Sequence, residues 1–543
     1  MSTAARAGPR APGCAPAPGA RAVMFAGTAS HVGKTVLAAA LCRIYARRGF
    51  RVAPFKAQNM SLNSFVTPDG GEIGRAQAYQ ARAAGVEPHV DMNPVLLKPS
   101  ADATSQVIVL GRPVGHMSVS EYQAYQATVW PAVTAAFERL RASNDLVVIE
   151  GAGSAGEINL RDQDIVNLRM ARHAGCPVLL IGDIDRGGVF ASLVGHMEVF
   201  TPEERALVAA FVINKFRGDA SLLDSGIDEL RERTGVPTLG VVPLLEGWRG
   251  DDEDSLAIEG RPSRMKPDAP LQVAVVRLPF ISNFTDFDAL ADEPDVNVRY
   301  VTAPAELADA AAIVLPGTKS TIADLAWLRE SGLAAAVLAQ AAAGTPVIAI
   351  CGGYQMLGRR IHDPAHVESG SETVDGLGLL DAETTFAGDK RTVRVDGELR
   401  APAGAAAGLL GPAGTPVRGY EIHMGRTTLG SSAAPLLRLR GADGAEHDDG
   451  AAATPVNGSV AGLVCGTYLH GLFDHPALRG AFLNRLRAAR GLPLRPSVAP
   501  PIDDDIDRLA DHVEAHLDAG LLERILGPKR SQLPQQVTFP ITH

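Results

Sequence analysis

The sequence predicts an α/β protein of two domains: an N-terminal P-loop domain built on a doubly wound parallel sheet, and a second α/β domain after it. Three observations carry this reading. Short β-branched runs alternate with longer alanine- and leucine-rich helical patterns in two separate blocks. The first run leads directly into Gly27-Thr28-Ala29-Ser30-His31-Val32-Gly33-Lys34-Thr35, a glycine loop closing on Lys-Thr. A later apolar run, 346–350, ends on Cys351-Gly352-Gly353, residues suited to a sharp strand-to-helix turn.

A chain of 543 residues is too long for a single core. Residues 1–20, rich in Ala, Pro, Gly and Arg, read as a disordered tail, and 21–246 as the P-loop domain. Strands are expected at 22–26, 52–55, 146–150, 178–182, 209–214 and 238–242, with crossover helices such as 34–48 and 219–234. Residues 247–270, with Asp251-Asp252-Glu253-Asp254 and three prolines, read as the linker. The second domain spans 271–490, with strands at 271–277, 296–301, 312–315 and 346–350. Antiparallel pairing is expected over 388–425 and 436–465, and surface loops over 401–416 and 441–455. The remainder, 491–543, reads as one amphipathic helix at 503–526 and a tail.

Composition excludes several classes of function. Lys plus Arg number 51 against 61 Asp plus Glu, a formal charge of −10, which argues against nucleic acid or an anionic membrane as partner. No apolar run approaches the roughly 20 residues of a membrane helix. The five cysteines are scattered, without a CxxC pair, so a reducing cytoplasm is expected and a disulfide framework is not.

In the glycine loop, backbone N–H groups can cradle phosphate oxygens. Lys34 can neutralise β and γ charge, and Thr35 can offer its hydroxyl to Mg²⁺. Gly27 lies one residue further from Gly33 than the usual spacing, and Thr28 holds the first-glycine position. Glu150, at a strand's carboxyl end, is a second candidate Mg²⁺ ligand, and the Asn214 amide is a candidate reader of an adenine edge. Three polar clusters after strands point to a large polar acceptor: Lys56, Gln58, Asn59 and Asn63; Lys98; and Asp183, Asp185 and Arg186.

The turn at Cys351 exposes a thiol and aims helix N–H groups at it. His470, after the apolar run 462–469, is its candidate base and acid. The Gly352 N–H, with N–H groups around Gly317, can form an oxyanion hole. Leu472 stands where an acidic orienter would follow the histidine, so a third member is missing or comes from elsewhere; Glu421 and His423 are near in sequence and neither is assigned. ATP chemistry and amide opening in one chain imply that phosphate energy drives nitrogen transfer.

These motifs resemble the cobyric acid synthase family, glutamine-hydrolysing amidotransferases of cobalamin biosynthesis. The resemblance spans about 23–486 and is most specific at Gln58-Asn59-Met60-Ser61-Leu62-Asn63-Ser64, Asp183-Ile184-Asp185-Arg186-Gly187-Gly188, Ile213-Asn214-Lys215-Phe216-Arg217-Gly218-Asp219, Tyr420-Glu421-Ile422-His423, and the Cys351–Gly358 and Gly466–Gly471 segments. The glycine loop is similar to that of dethiobiotin synthetase. The resemblance implies a class I (triad) glutamine amidotransferase-like second domain, in which Cys351 attacks the glutamine amide, His470 moves protons and Gln355 binds glutamine. It also implies that Gly33, Lys34, Thr35 and Mg²⁺ hold ATP, which phosphorylates the b, d, e and g carboxylates of adenosylcobyrinic acid a,c-diamide; internally passed ammonia then forms the amides. The corrinoid is a substrate on this reading, not a cofactor. Alternatives are an enzyme amidating the a and c carboxylates, a partition-type ATPase, and a binding protein with a dead amidase. Gln58–Ser64 and Tyr420–His423 favour the later amidations, and Gly27–Val32 lacks the extra lysine of partition ATPases.

Overall fold

The structure is a computed structural model that describes residues 21–100, 104–245, 265–400, 409–442, 444–453, 463–498 and 502–527. The tail at 1–20, most of the linker and part of the loop at 401–416 lie outside the described residues.

The N-terminal sheet is built from β1 (Arg21–Gly27), β2 (Val52–Phe55), β3 (Leu146–Glu150), β4 (Val178–Asp183), β5 (Val208–Phe216) and β6 (Thr238–Pro243), in the order β6-β5-β4-β1-β3-β2. Every pairing is parallel. Continuous apolar strands such as Leu146–Glu150 are buried along their whole length because helices cover both faces. The strand order reverses at β1, which lies between β3 and β4; the crevice outside its carboxyl end is where a ligand fits this topology. The glycine loop leaves β1 there and opens α1 (Lys34–Arg47). A smaller sheet, Gln58–Met60, Val95–Pro99, Ser105–Val109 and Arg112–Met117, is inserted between β2 and β3.

In the second domain β7 (Leu271–Val276), β8 (Val296–Val301), β9 (Ala312–Leu315), β10 (Val347–Ile350) and a later strand, Val464–Thr467, pair in parallel in the order β8-β7-β9-β10-(464–467). Ala451–Ala453 and Ala433–Ala434 extend this sheet antiparallel, and Glu446–Asp449 pairs with Leu437–Gly441. This corrects the loop expected over 441–455. A run of alanines carries no β-branched signal, yet Ala451 and Ala452 are fully buried opposite Gly466 and Cys465, where small side chains fit. A separate sheet holds the long hairpin Ala382–Leu399 and Pro416–Leu429, whose Tyr420 pairs with His470. The turn after β10 opens the short helix α2 (Gly352–Leu357).

The C-terminal amphipathic pattern forms two helices rather than one. The first, α3, is Ile502–Ala515, and a second follows at Ala519–Leu526, started by Asp518, whose side chain accepts from Leu521 N at 2.9 Å. Both return to the N-terminal domain. Ile506, Leu509, Ala510 and Val513 of α3 share one face and pack in one core with Leu37–Leu41 of α1. That is why Ala38, Ala39 and Ala40 are all fully buried: α1 lies between the sheet and α3.

Helix Pro476–Ala489, just after His470, is locked by two buried arginines. Arg487 grips Asp295 with two bonds of 2.8 and 2.9 Å, and Arg479 donates to Glu293 at 3.0 Å and to Phe473 O at 2.7 Å. The Arg487 hydrogen bond and charge outweigh burial and hold the Asp295 carboxyl below the usual carboxylate range. A depressed folded pKa means its stabilisation is complete above about pH 4 and is lost as pH falls further. Arg487→Met leaves the buried Asp295 carboxylate unpaired, so unfolding free energy at pH 7 should fall by about 3–5 kcal/mol in denaturant titrations. Adding Asp295→Asn should recover part of that loss.

Candidate active site

Two cavities hold the chemistry. The larger, about 1890 Å³, is lined by the glycine loop and the carboxyl ends of the N-terminal strands. Gly33 has φ +102°, and the Asn214 amide nitrogen lies 2.1 Å from where a Cβ would project, so only glycine fits. Gly27 is less confined: a Cβ there would lie 2.8 Å from Lys34 Nζ and 3.0 Å from Ala29 O, so the Lys34 side chain would have to shift. Lys34 folds back to donate to Ala29 O and Gly153 O at 3.0 and 2.8 Å. Thr35 Oγ1 donates to Glu150 Oε1 at 2.8 Å, joining the two candidate Mg²⁺ ligands. The fully buried Glu150 also accepts from Lys56 at 3.1 Å and from Gln80 at 2.5 Å. Asn214 Nδ2 donates to Val32 O at 2.8 Å, so its observed role is to brace the loop.

Of the eight acceptor candidates, the large cavity gathers Lys56, Gln58, Asn59 and Arg186, together with Arg161, Arg169 and Arg172 from the segment after β3. The other four do not line it, which corrects the sequence reading. Asp183 is occupied by Lys215 Nζ at 2.8 Å and by the Asp185 N–H at 2.9 Å, while Asp185 pairs with Arg217 at 3.0 Å. Asn63 and Lys98 instead face the second domain. The short strand period explains the split: Leu97 and Pro99 line the large cavity, whereas Lys98 between them points to the opposite side.

The smaller cavity, about 50 Å³, lies at Cys351 and is lined also by Gln355, Thr318, Lys319, Glu368, His423 and, from the N-terminal domain, Lys98 and Gln106. Cys351 has φ +52° and ψ −112°, a strained conformation that puts the thiol at the head of α2. A Cβ on Gly353 would lie 2.2 Å from Leu315 O and one on Gly352 3.2 Å from Thr318 N, so both glycines are required for β9, β10 and α2 to meet. The same closeness sets Thr318 N next to Gly352, at the cavity that Thr318 and Cys351 both line. Gly317 passes against the histidine; a Cβ there would be 3.2 Å from His470 Cε1. Gln355 is fixed by Thr321, which donates to its Oε1 at 3.0 Å, and by its own bond to Met424 O at 2.8 Å.

The third member of the Cys-His pair is Asp286. Its Oδ2 lies 2.7 Å from His470 Nδ1 and its Oδ1 accepts the Gly471 N–H at 3.0 Å, all fully buried. Burial alone would lower the His470 pKa; the Asp286 charge and hydrogen bond, with the Cys351 thiol beside it, outweigh burial and lift it to about 10. Neither Glu421 nor His423 serves here. Glu421 pairs with Arg391 and, at 3.0 Å, with His447, and His423 stacks on Tyr468. Sequence reasoning passed over Asp286 because it precedes His470 by 184 residues. The usable signal was an acid between Phe284 and Phe287, in the connection after the strand Leu271–Val276.

The N-terminal domain reaches this triad directly. Ser64 N donates to Asn283 Oδ1 at 2.8 Å and Phe284 N donates to Asn63 Oδ1 at 3.3 Å. Asn283 Nδ2 lies 3.4 Å from His470 Nε2, and Tyr420, stacked on His470, donates to Ser64 O at 3.4 Å. Beside them Glu72 binds Lys98 at 2.7 Å and also Lys390 of the second domain. The charges of those two lysines overcome burial and hold Glu72 well below the usual carboxylate range.

A parallel sheet with a Cys-His-Asp triad at its strand ends, joined to a P-loop domain, defines a nucleotide-driven glutamine amidotransferase architecture. The comparisons agree. Residues 272–478 match a CobB/CobQ-like glutamine amidotransferase domain, and 23–254 a CobQ/CobB/MinD/ParA nucleotide binding domain. Cobyric acid synthase of Sorangium cellulosum is 54% identical over 94% of this chain and 99% of its own length. Those of Moorella thermoacetica and Desulforudis audaxviator are 50% and 51% identical over 94% of this chain, and 98% and 99% of theirs. The chain belongs to the cobyric acid synthase family.

Asp286→Asn should lower glutaminase kcat by about 10²- to 10⁴-fold, by analogy with loss of the carboxylate in other triads. The His470 titration should fall from about 10 toward its ordinary value. NMR of labelled imidazole and a pH–rate profile read both; an unchanged profile would remove Asp286 from the triad.

Proposed function

We propose that this chain makes cobyric acid by ATP-driven, glutamine-dependent amidation of the b, d, e and g carboxylates of adenosylcobyrinic acid a,c-diamide. The observation that carries this reading is the placing of a buried Cys351-His470-Asp286 triad and a Lys34-Thr35-Glu150 phosphate site on opposite sides of one small sheet. Family membership favours the four later carboxylates over the a and c pair, and a triad in hydrogen-bonding order has no use in a partition ATPase.

In the small cavity, the Cys351 thiolate attacks the side-chain amide carbon of glutamine. The amides of Gly352 and Thr318 receive the charge that develops on oxygen. The imidazolium of His470, oriented by Asp286, delivers a proton to the departing nitrogen, and ammonia leaves. Water then hydrolyses the thioester, with His470 as base, to give glutamate. Gln355 shapes the slot that the glutamine side chain enters.

In the large cavity a corrinoid carboxylate oxygen attacks the γ-phosphorus of ATP and ADP departs. Ammonia displaces phosphate from the acyl phosphate, leaving an amide. Lys34 draws the β and γ charge once it releases its backbone acceptors. Thr35 and Glu150 suit Mg²⁺: both are hard oxygen donors, 2.8 Å apart at the loop. Among the described residues no group of three His, Cys, Asp or Glu could complete a metal shell, so phosphates and water supply the rest. Bound there, Mg²⁺ would neutralise phosphate charge. The cavity volume suits a ring far larger than a nucleotide alone, and Arg161, Arg169, Arg172 and Arg186 match its peripheral carboxylates. A cytoplasmic setting suits four buried free cysteines, and no described helix is long and apolar enough to cross a membrane.

Cys351→Ala should abolish amidation from glutamine while amidation from added ammonium persists; loss of both in folded protein would contradict separate sites. Lys34→Ala should stop amidation from either nitrogen source and leave measurable glutaminase turnover. Mass spectrometry of the diamide after incubation with ATP and each nitrogen source reads the product, with a gain of four amides from the unaltered chain.

A further inference from the structure

One apolar stretch of the large cavity's lining continues directly from the glycine loop, and part of it comes from outside the P-loop domain. Val36 and Leu37 of α1 and residues 242–245, at the end of β6, contribute one share; Leu509, His512 and Val513 of α3 contribute the other. Between Leu245 and Ile502 the chain builds the whole amidotransferase domain, then returns.

The return is anchored in three ways. Ile506, Leu509, Ala510 and Val513 are buried against α1. An acidic stripe on α3 meets a basic stripe on the helices beneath: Asp507 takes Arg43 in two bonds of 2.8 Å, Asp511 takes Arg47 at 2.6 Å, Glu514 takes Arg48, and Asp503 takes Arg82 at 3.1 Å. At the strand edge, His512 Nε2 donates to Pro243 O at 2.8 Å and Asp518 N donates to Leu239 O at 2.8 Å. Single surface ion pairs contribute little, but a network on a buried seam fixes the helix in register.

A nucleotide whose phosphates sit on Gly33, Lys34 and Thr35 must place its base within the reach of one ribose. Elsewhere the lining carries Arg161, Arg169, Arg172, Arg186, Gln58 and Asn59, which suit carboxylates. Of its other apolar residues, Leu97, Met117 and Tyr122 belong to the inserted sheet and the helix after it rather than to the segment that directly follows the glycine loop. A purine loses less on leaving water where its faces meet apolar side chains. We infer that α3 forms one wall of the purine-binding subsite, its Leu509–Val513 turn facing the base opposite residues 242–245, with His512 at the surface of that wall holding the Pro243 turn in place. The C-terminal helix is then part of the ATP site, and a chain cut after the amidotransferase domain would lack it. This inference rests on the nucleotide reading of the glycine loop.

The test compares ATP with inorganic tripolyphosphate, which has phosphates and no base, each titrated with Mg²⁺ into the full chain by calorimetry. Leu509→Asp should weaken ATP about tenfold or more and change tripolyphosphate less than about twofold. His512→Ala, at a half-buried position, should weaken ATP several-fold with the same selectivity. Equal weakening of both probes would mean that α3 only props up α1, and unchanged ATP affinity would place the base elsewhere; either result overturns the inference. If the unaltered chain binds neither probe, the glycine-loop reading fails instead. The circular dichroism melt of each variant identifies any that has unfolded, and for such a variant His512→Ala decides.

Discussion

The structure turns on one buried contact, the Asp286 carboxylate against the His470 imidazole. A carboxylate without water is costly unless charge and hydrogen bonds answer it, and here both oxygens are used. The loop that carries Asp286 follows β7 and is clamped from outside its own domain by Asn63 and Ser64. The histidine side is clamped too: Arg479 holds Phe473 O just beyond it, and Tyr420 lies flat on the ring. The raised His470 pKa has a stability consequence. Its contribution is fully present below about pH 6.5 and fades as pH rises through about 10. Removing any clamp therefore acts on catalysis through the geometry of this pair.

Because the clamp residues Asn63 and Ser64 follow directly on Ser61 and Leu62, which line the large cavity, the two sites share a piece of backbone. Ser61 N donates to Leu97 O at 3.0 Å, tying that segment to the strand whose alternate residues face opposite cavities. Residues 58–62 are thereby joined by backbone to the two residues that hold the loop carrying Asp286, and the connection consists of hydrogen bonds between ordered elements.

Both sheets were legible in the sequence because buried parallel strands are continuous apolar runs; 146–150, 296–301 and 312–315 match the observed bounds, and α1 differs by one residue. Thr35, Glu150, Cys351 and His470 were legible as strand-end chemistry, since a parallel sheet aligns its carboxyl ends. What escaped were relations between distant segments. Asp286 lies in another loop from the histidine it orients, and Asn63 and Lys98 carry the composition of ligand residues while serving the domain seam. Alternation along 95–99 sends Lys98 away from its neighbours' cavity, which residue type cannot reveal. The C-terminal helix was visible as an amphipathic pattern, but nothing in a local window says which domain its apolar face covers.

The difference in cavity size follows from the two chemistries. Glutamine brings a narrow side chain to one sulfur, and the cavity beside Cys351 is correspondingly small, about 50 Å³. On the function proposed above, a corrinoid presented at four different carboxylates to one γ-phosphate would need room to rebind in several orientations, and the large cavity has a volume of about 1890 Å³. An acyl phosphate formed in so open a cavity would be exposed to hydrolysis, so that proposal requires ammonia to arrive from nearby and uncharged. At the wall between the cavities Lys98 and Lys390 flank a single carboxylate, Glu72, and burial outweighs that carboxylate and lowers the Lys390 pKa to about 8, so the positive charge of this cluster is only partly fixed near neutral pH.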